Sequence, residues 1–141
     1  MTLPSEVLEK ARLAVDQMQE RAGGRLDYSE RSLEAVEELL EEASQYEAEL
    51  DAGMKRALVE LLGCYILAVA NRAHGGEFMW LEERAQPVLV VGEPAFHVAM
   101  IAFDKVRGRL GGDKGDNIPF FYEGFAGRVK AAGPGTKALY V

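Results

Sequence analysis

MKRALVELLGCYILAVANRAHGGEFMWL, residues 54–81, decides how the fold is read. Leu58, Leu61, Leu62, Tyr65, Ile66 and Val69 recur at helical spacing, while Gly63, Cys64 and Ala68 keep another side small enough for a neighbouring helix to approach closely. Apolar on more than one side, this segment predicts a central helix. Gly75-Gly76 ends it, and the β-prone run Phe78-Met79-Trp80-Leu81 follows directly. Its longest apolar stretch, Leu61 to Ala70, falls well short of the roughly 20 residues that cross a bilayer, so no membrane association is expected.

Toward the N-terminus, Pro4-Ser5-Glu6 followed by Val7, Leu8, Ala11, Val15 and Met18 predicts an amphipathic helix to about Ala22, closed by Gly23-Gly24. Ser29 suits the N-cap of a second helix, and Tyr28 with Leu33 has the spacing of a hydrophobic staple. That helix should bury Leu33, Val36, Leu40 and Ala43. Asp51 is placed to cap the third. Toward the C-terminus, Pro87-Val88-Leu89-Val90-Val91 and Phe96-His97-Val98-Ala99-Met100-Ile101 read as further strands, and the short connections imply antiparallel neighbours. A brief helix from Asp104 ends near Gly111-Gly112. Ile118-Pro119 opens a last one carrying Phe121, Tyr122, Phe125 and Val129, and the tail from Thr136 is either an edge strand or frayed. The expectation is a single α+β domain over residues 1–141. Three N-terminal helices pack on a small antiparallel β-sheet of three or four strands, and two shorter helices follow.

A chain of 141 residues is the size of one domain, and 48% apolar with 28% charged residues suits a globular protein. Glu6 arrives before any basic region with an apolar stretch behind it, so no signal peptide is expected and a cytoplasmic location is. The lone Cys64 can form neither an internal disulfide nor, by itself, a thiolate metal site. The net charge of −7 is uneven: residues 1–51 hold fourteen acids and five bases, the remainder nine acids and eleven bases. An acidic field repels phosphate backbones, and no stripe of Lys and Arg interleaved with aromatics offsets it, which disfavours nucleic acid.

The most site-like stretch is Gly111-Gly112-Asp113-Lys114-Gly115-Asp116-Asn117. As a calcium loop starting at Asp113 it fails, with Gly115 at a ligand position, Ile118 where the turn glycine belongs and Gly124 where the bidentate glutamate belongs. As a phosphate loop it lacks the Gly-Lys-Ser/Thr ending. It could still form a backbone nest for a small anion, aided by Lys105, Arg107, Arg109 or Lys114, or be a connection in which Asp116 or Asn117 caps the last helix. His74 falls in the last turn of the central helix, where a cation meets the dipole favourably. His97 sits in an apolar strand without an evident acid partner, and Cys64 lies mid-helix among aliphatics. Two distant histidines make no zinc site, and the four serines contain no Gly-x-Ser-x-Gly elbow. No metal or cofactor is expected. Arg72, Glu77 and Asp104 could converge at the helix-to-strand corner as an ion pair.

Leu26-Asp27-Tyr28-Ser29 before an acidic helix, Leu62-Gly63-x-Tyr65, Arg72-x-x-Gly75-Gly76-Glu77, Phe103-x-Lys105-Val106-x-x-Arg109-Leu110-x-Gly112 and a late Phe121-Tyr122 resemble a family of small bacterial domains of unknown function. The resemblance spans roughly residues 26–125 and implies an α+β fold, with activity left open. Members tend to carry a tryptophan soon after the double glycine, where this chain has Phe78 and then Trp80. They also tend to carry an acid near the position of Ala68, so a carboxylate site there is not carried over.

The second helix gives the leading expectation of function. Glu30/Glu34, Glu34/Glu38, Glu37/Glu41 and Glu38/Glu42 are like-charge i,i+4 pairs, each costing about 0.2–0.5 kcal/mol in an isolated helix. A non-catalytic module that docks a basic protein through Glu34, Glu38 and Glu41 would account for them; a solvated surface is the plainer reading. The alternative is a small-molecule or anion-binding protein or enzyme with a pocket among Gly75-Gly76, the loop from Asp113 to Asn117, and Arg72, His74, Glu77, Tyr122 and Glu123. A homodimer through a sheet edge or Trp80 is a third possibility.

Overall fold

The computed structural model describes residues 2–141. Helix α1 spans Leu3–Met18, α2 Leu33–Ser44 and α3 Ala52–His74; strands β1 (Glu77–Leu81), β2 (Gln86–Val91) and β3 (His97–Met100) follow; α4 (Phe103–Leu110) and α5 (Ile118–Ala131) precede β4 (Lys137–Tyr140). The architecture is α+β, as expected.

The central helix is central because of its composition. Asp51 caps it, its carboxylate accepting from Met54 N at 2.8 Å. Ten consecutive residues, Leu61 to Ala70, are buried, so neighbours wrap it on all sides. Gly63 leaves room for the Phe103 ring of α4, which occupies the place a Cβ would take. Tyr65 is fully buried, and its hydroxyl meets Tyr28 N at 3.0 Å and Ser32 Oγ at 2.7 Å. These bonds tie the α1–α2 connection to the middle of α3. At the far end Gly75 and Gly76 take φ of 75° and 96°, and a Cβ on Gly76 would sit 2.5 Å from Val90 O. Only glycine fits that turn.

Three local readings need correction. Helix α1 ends at Met18 rather than near Ala22, and turns carry the chain to Gly24 while the Gln19 side chain bonds both Leu26 N and Leu26 O. Leu8 is 47% exposed because Val7, Ala11, Ala14 and Met18 already form the inward stripe. Ser29 caps a 3-10 turn, Glu30–Ser32, that leads into α2 rather than capping α2 itself.

The sheet order is β1-β2-β3-β4. Short connections make β1, β2 and β3 antiparallel, but β4 returns only after α4 and α5 and pairs parallel to β3, so the sheet is mixed. The tail is an edge strand. Alternation sends Phe78, Leu89, Val91, Val98, Met100 and Tyr140 toward the helices, where they join the main core, while Val88, Val90, Ala99 and Ile101 form a separate cluster on the opposite face.

Candidate functional site

A cleft of about 520 Å³ opens on the helix side of the sheet between α1, the first half of α3, β1 and α4. Helical spacing builds two of its walls: Leu3, Val7 and Lys10 from α1, and Arg56, Val59 and Cys64 from α3. Trp80 points to the same side of β1 as Phe78 and forms a third wall, 50% exposed, with Phe103 and Leu110 completing the apolar lining. The size is within the range of small-molecule sites, which are mostly apolar with a few placed polar groups.

Charge is confined to the mouth. Lys10 pairs with Glu60 at 3.4 Å, Lys55 with Glu47 at 2.8 Å, and Arg107 with Asp104 at 2.7 Å. Arg56 is exposed and pairs with none of the described carboxylates. The lining thus carries Lys10, Lys55, Arg56 and Arg107 against Glu6, Glu47 and Glu60, a local positive excess on an acidic protein. Burial pushes the Cys64 thiol up to about 12, so it stays protonated and is no nucleophile. Neither histidine lines the cleft.

The acidic face expected to dock a partner is largely engaged within the chain. Arg109, with a side chain only 3% exposed, bonds Glu37 at 2.6 Å and also Glu41. Glu37 additionally accepts from Ile118 N at 3.0 Å, which seats α5. Arg25 holds Glu38 through two 2.9 Å bonds, and Arg21 holds Glu42 at 2.9 Å. Hydrogen bonds from Arg25 and Arg109 keep the Glu38 and Glu41 carboxyls below their usual range. Glu34 forms no ion pair with the described residues. The like-charge pairs therefore have an internal compensation, supplied by arginines up to 72 residues away in sequence.

The corner residues do not converge as expected. Arg72 lies over the Tyr28 ring, 5.9 Å from its centroid, Glu77 is exposed at the start of β1, and Asp104 pairs instead with Arg84 and Arg107. The reason is topological: Phe103 N bonds Gln86 at the start of β2, whereas Gly76 meets Val90 near its end. His74 and Tyr122 do come together, around Glu30. The Tyr122 hydroxyl donates to Glu30 Oε2 at 2.5 Å, and His74 Nε2 lies 3.3 Å from the same oxygen but off the hydrogen-bonding direction. Burial, then the bond to Glu30, raises the Tyr122 phenol above its usual range. Tyr122, Glu123, Glu30 and Glu34 line a second cleft of about 360 Å³. His97 finds an acid four residues back, Glu93, at 2.5 Å.

The glycine-rich loop closes on itself. Asp113 accepts from Gly115 N at 2.8 Å, Asp116 pairs with Lys105 at 3.0 Å over Gly108, and Asn117 caps α5 by accepting from Phe120 N at 2.9 Å. Among the described residues no three His, Cys, Asp or Glu side chains gather to hold a metal ion. No helix among them is long and apolar enough to cross a membrane. Of the cleft lining, Trp80 is the one trace the strand pattern carries; the partners that make it a wall come from α1, α3 and α4. Comparison of the chain with known protein families, curated proteins and solved structures finds no match.

Proposed function

We propose that the protein is a non-catalytic binding protein whose main cleft takes an amphiphilic anion, an apolar body with a carboxylate head. The observation that carries this reading is an apolar floor under a mouth where Arg56 has no carboxylate partner. Val7, Val59, Phe103 and Leu110 favour a hydrocarbon or aromatic body, and Arg56 offers a two-pronged donor to the head. A protonated Cys64 and the absence of either histidine from the lining support binding over catalysis. A lone buried thiol suits a reducing, cytoplasmic compartment. Calorimetric titration with decanoate and decanol tests the reading: saturable binding of decanoate, weaker binding of decanol, and a roughly tenfold loss for decanoate in Arg56→Glu are expected. Equal affinity for acid and alcohol, or no saturable binding of either, contradicts it.

A basic protein partner is the second reading, favoured by Glu34 and Glu123 beside the second cleft, neither of which forms an ion pair with the described residues. Its test is confined to those two, because reversing Glu38 or Glu41 also breaks bonds to Arg25 or Arg109. Charge reversal at Glu34 and Glu123 that leaves partner binding and its salt dependence unchanged counts against it.

A further inference from the structure

The second cleft, about 360 Å³, holds charged side chains of both signs that do not pair with one another. Arg31, Glu34, Glu123 and Lys130 all line it, all are exposed, and none forms an ion pair with the described residues. Two bonds fix how its walls run: Glu37 accepts from Ile118 N and Glu30 from the Tyr122 hydroxyl, so residues 30–37 run antiparallel to α5. Glu34, between the two anchors, therefore stands with Glu123 beside the first turns of α5, and Lys130 lies beyond them near its other end. Glu123, Gly127 and Lys130 share one face of α5 at i, i+4 and i+7 spacing, which sets the acid and the base about 10 Å apart along the axis. Between them the wall is bare. A Cβ added at Gly127 would meet nothing within 4 Å, and buried Leu33, Tyr122 and Ala126 form an apolar floor.

Glu30, at the acidic end, is held in place by groups that leave part of it open. The His74 side chain is only 9% exposed, and its Nε2, which has no hydrogen-bond partner, lies 3.3 Å from Glu30 Oε2. The Tyr122 hydroxyl donates to that same oxygen. Glu30 Oε1, by contrast, accepts no hydrogen bond from the described residues. A carboxylate oriented in this way is prepared for a charged donor arriving through the cleft. We propose that the second cleft binds a small zwitterion, an ammonium and a carboxylate joined by a short straight aliphatic chain, as in an ω-amino acid. The ammonium sits among Glu30, Glu34 and Glu123, the chain crosses the bare wall at Gly127, and the carboxylate meets Lys130, with Arg31 adding positive charge to the same lining. An α-amino acid, with both charges on one carbon, does not reach both ends. The inference goes beyond the basic-partner reading of this cleft, which uses its acids alone.

Amide chemical-shift titration of the full chain with ε-aminocaproate tests the proposal and reports where the probe sits. Saturable shifts at Arg31, Tyr122, Gly127 and Lys130 are expected. Hexylamine, lacking the carboxylate, should bind the same place roughly tenfold more weakly, and norleucine should also bind more weakly than ε-aminocaproate. Lys130→Gln should bring ε-aminocaproate down to the hexylamine level and leave hexylamine unchanged, a split that a merely structural role would not produce. Gly127→Leu adds a side chain where nothing obstructs its Cβ and replaces a poor helix former, and it should abolish binding of both. Should that variant fail to fold, as judged by circular dichroism, the Lys130→Gln comparison decides. Hexylamine or norleucine equal to ε-aminocaproate, binding indifferent to Lys130→Gln, or no saturable shift in this cleft overturns the proposal.

Discussion

Replacing Tyr65 by Phe tests the claim that α3 organises the chain through polar as well as apolar contacts. The substitution keeps the ring and removes one buried oxygen. In the native protein Ser32 Oγ donates to Ser29 O at 2.5 Å, so its bond with Tyr65 is one in which the phenol donates; Tyr28 N donates to the same phenol at 3.0 Å. Burial raises the phenol above its usual range, consistent with a neutral donor. Tyr65→Phe leaves Tyr28 N without this acceptor, at a cost of about 1–3 kcal/mol. Tyr28 itself sits at φ 67°, a left-handed conformation that costs a non-glycine residue about 1 kcal/mol or more and persists only where its surroundings hold it. A loss of about 2 kcal/mol is therefore expected, a fall in Tm of about 6–10 °C for a domain of this size. Urea unfolding should show the midpoint moving with its slope unchanged. In a cycle with Ser32→Ala the double variant should cost about 1 kcal/mol less than the sum of the singles. A change under about 0.5 kcal/mol, or strict additivity, refutes the reasoning.

Gly63→Ala should destabilise by about 1–3 kcal/mol by forcing the Phe103 ring aside, and Phe103→Leu in the same chain should recover part of it; thermal melts of the two variants check this. Arg109→Met should lower the urea midpoint far more than Arg21→Met or Arg25→Met, because its 3% exposed guanidinium holds Glu37 and Glu41 together while the other two arginines are exposed. Glu38 and Glu41 have depressed carboxyl pKa values, so the stability they contribute is present above the unfolded value of about 4.3 and lost as pH falls through the folded one. Arg109→Met should accordingly show a shallower acid-side decline in Tm than wild type.

Legibility in the sequence followed the range of the interactions. The cap at Asp51, the double-glycine stop, the cap of the last helix, narrowed to Asp116 or Asn117, and the closeness implied by Gly63 rest on residues a few positions apart or on side-chain size, and were readable to that extent. Glu37 and Arg109 stand 72 residues apart, so the acidic helix looked uncompensated and invited a partner. The run Val88-Leu89-Val90-Val91 is buried on both faces of the sheet, and alternation gives Leu89 and Val91 to the main core and Val88 and Val90 to a smaller cluster of their own, a division that the run of valines does not show. The cleft combines residues from four elements, none of which carries a motif on its own. Strand β4 was ambiguous because its partner, β3, lies two helices earlier.

The most direct test of the proposed function is amide chemical-shift mapping during a decanoate titration. The account predicts saturable shifts that cluster at Val7, Lys10, Arg56, Val59 and Phe103, with the Trp80 indole N–H among the largest. Shifts centred on Glu30, Tyr122 and Glu123, or on Met79 and Leu139, or spread without saturation, would contradict it.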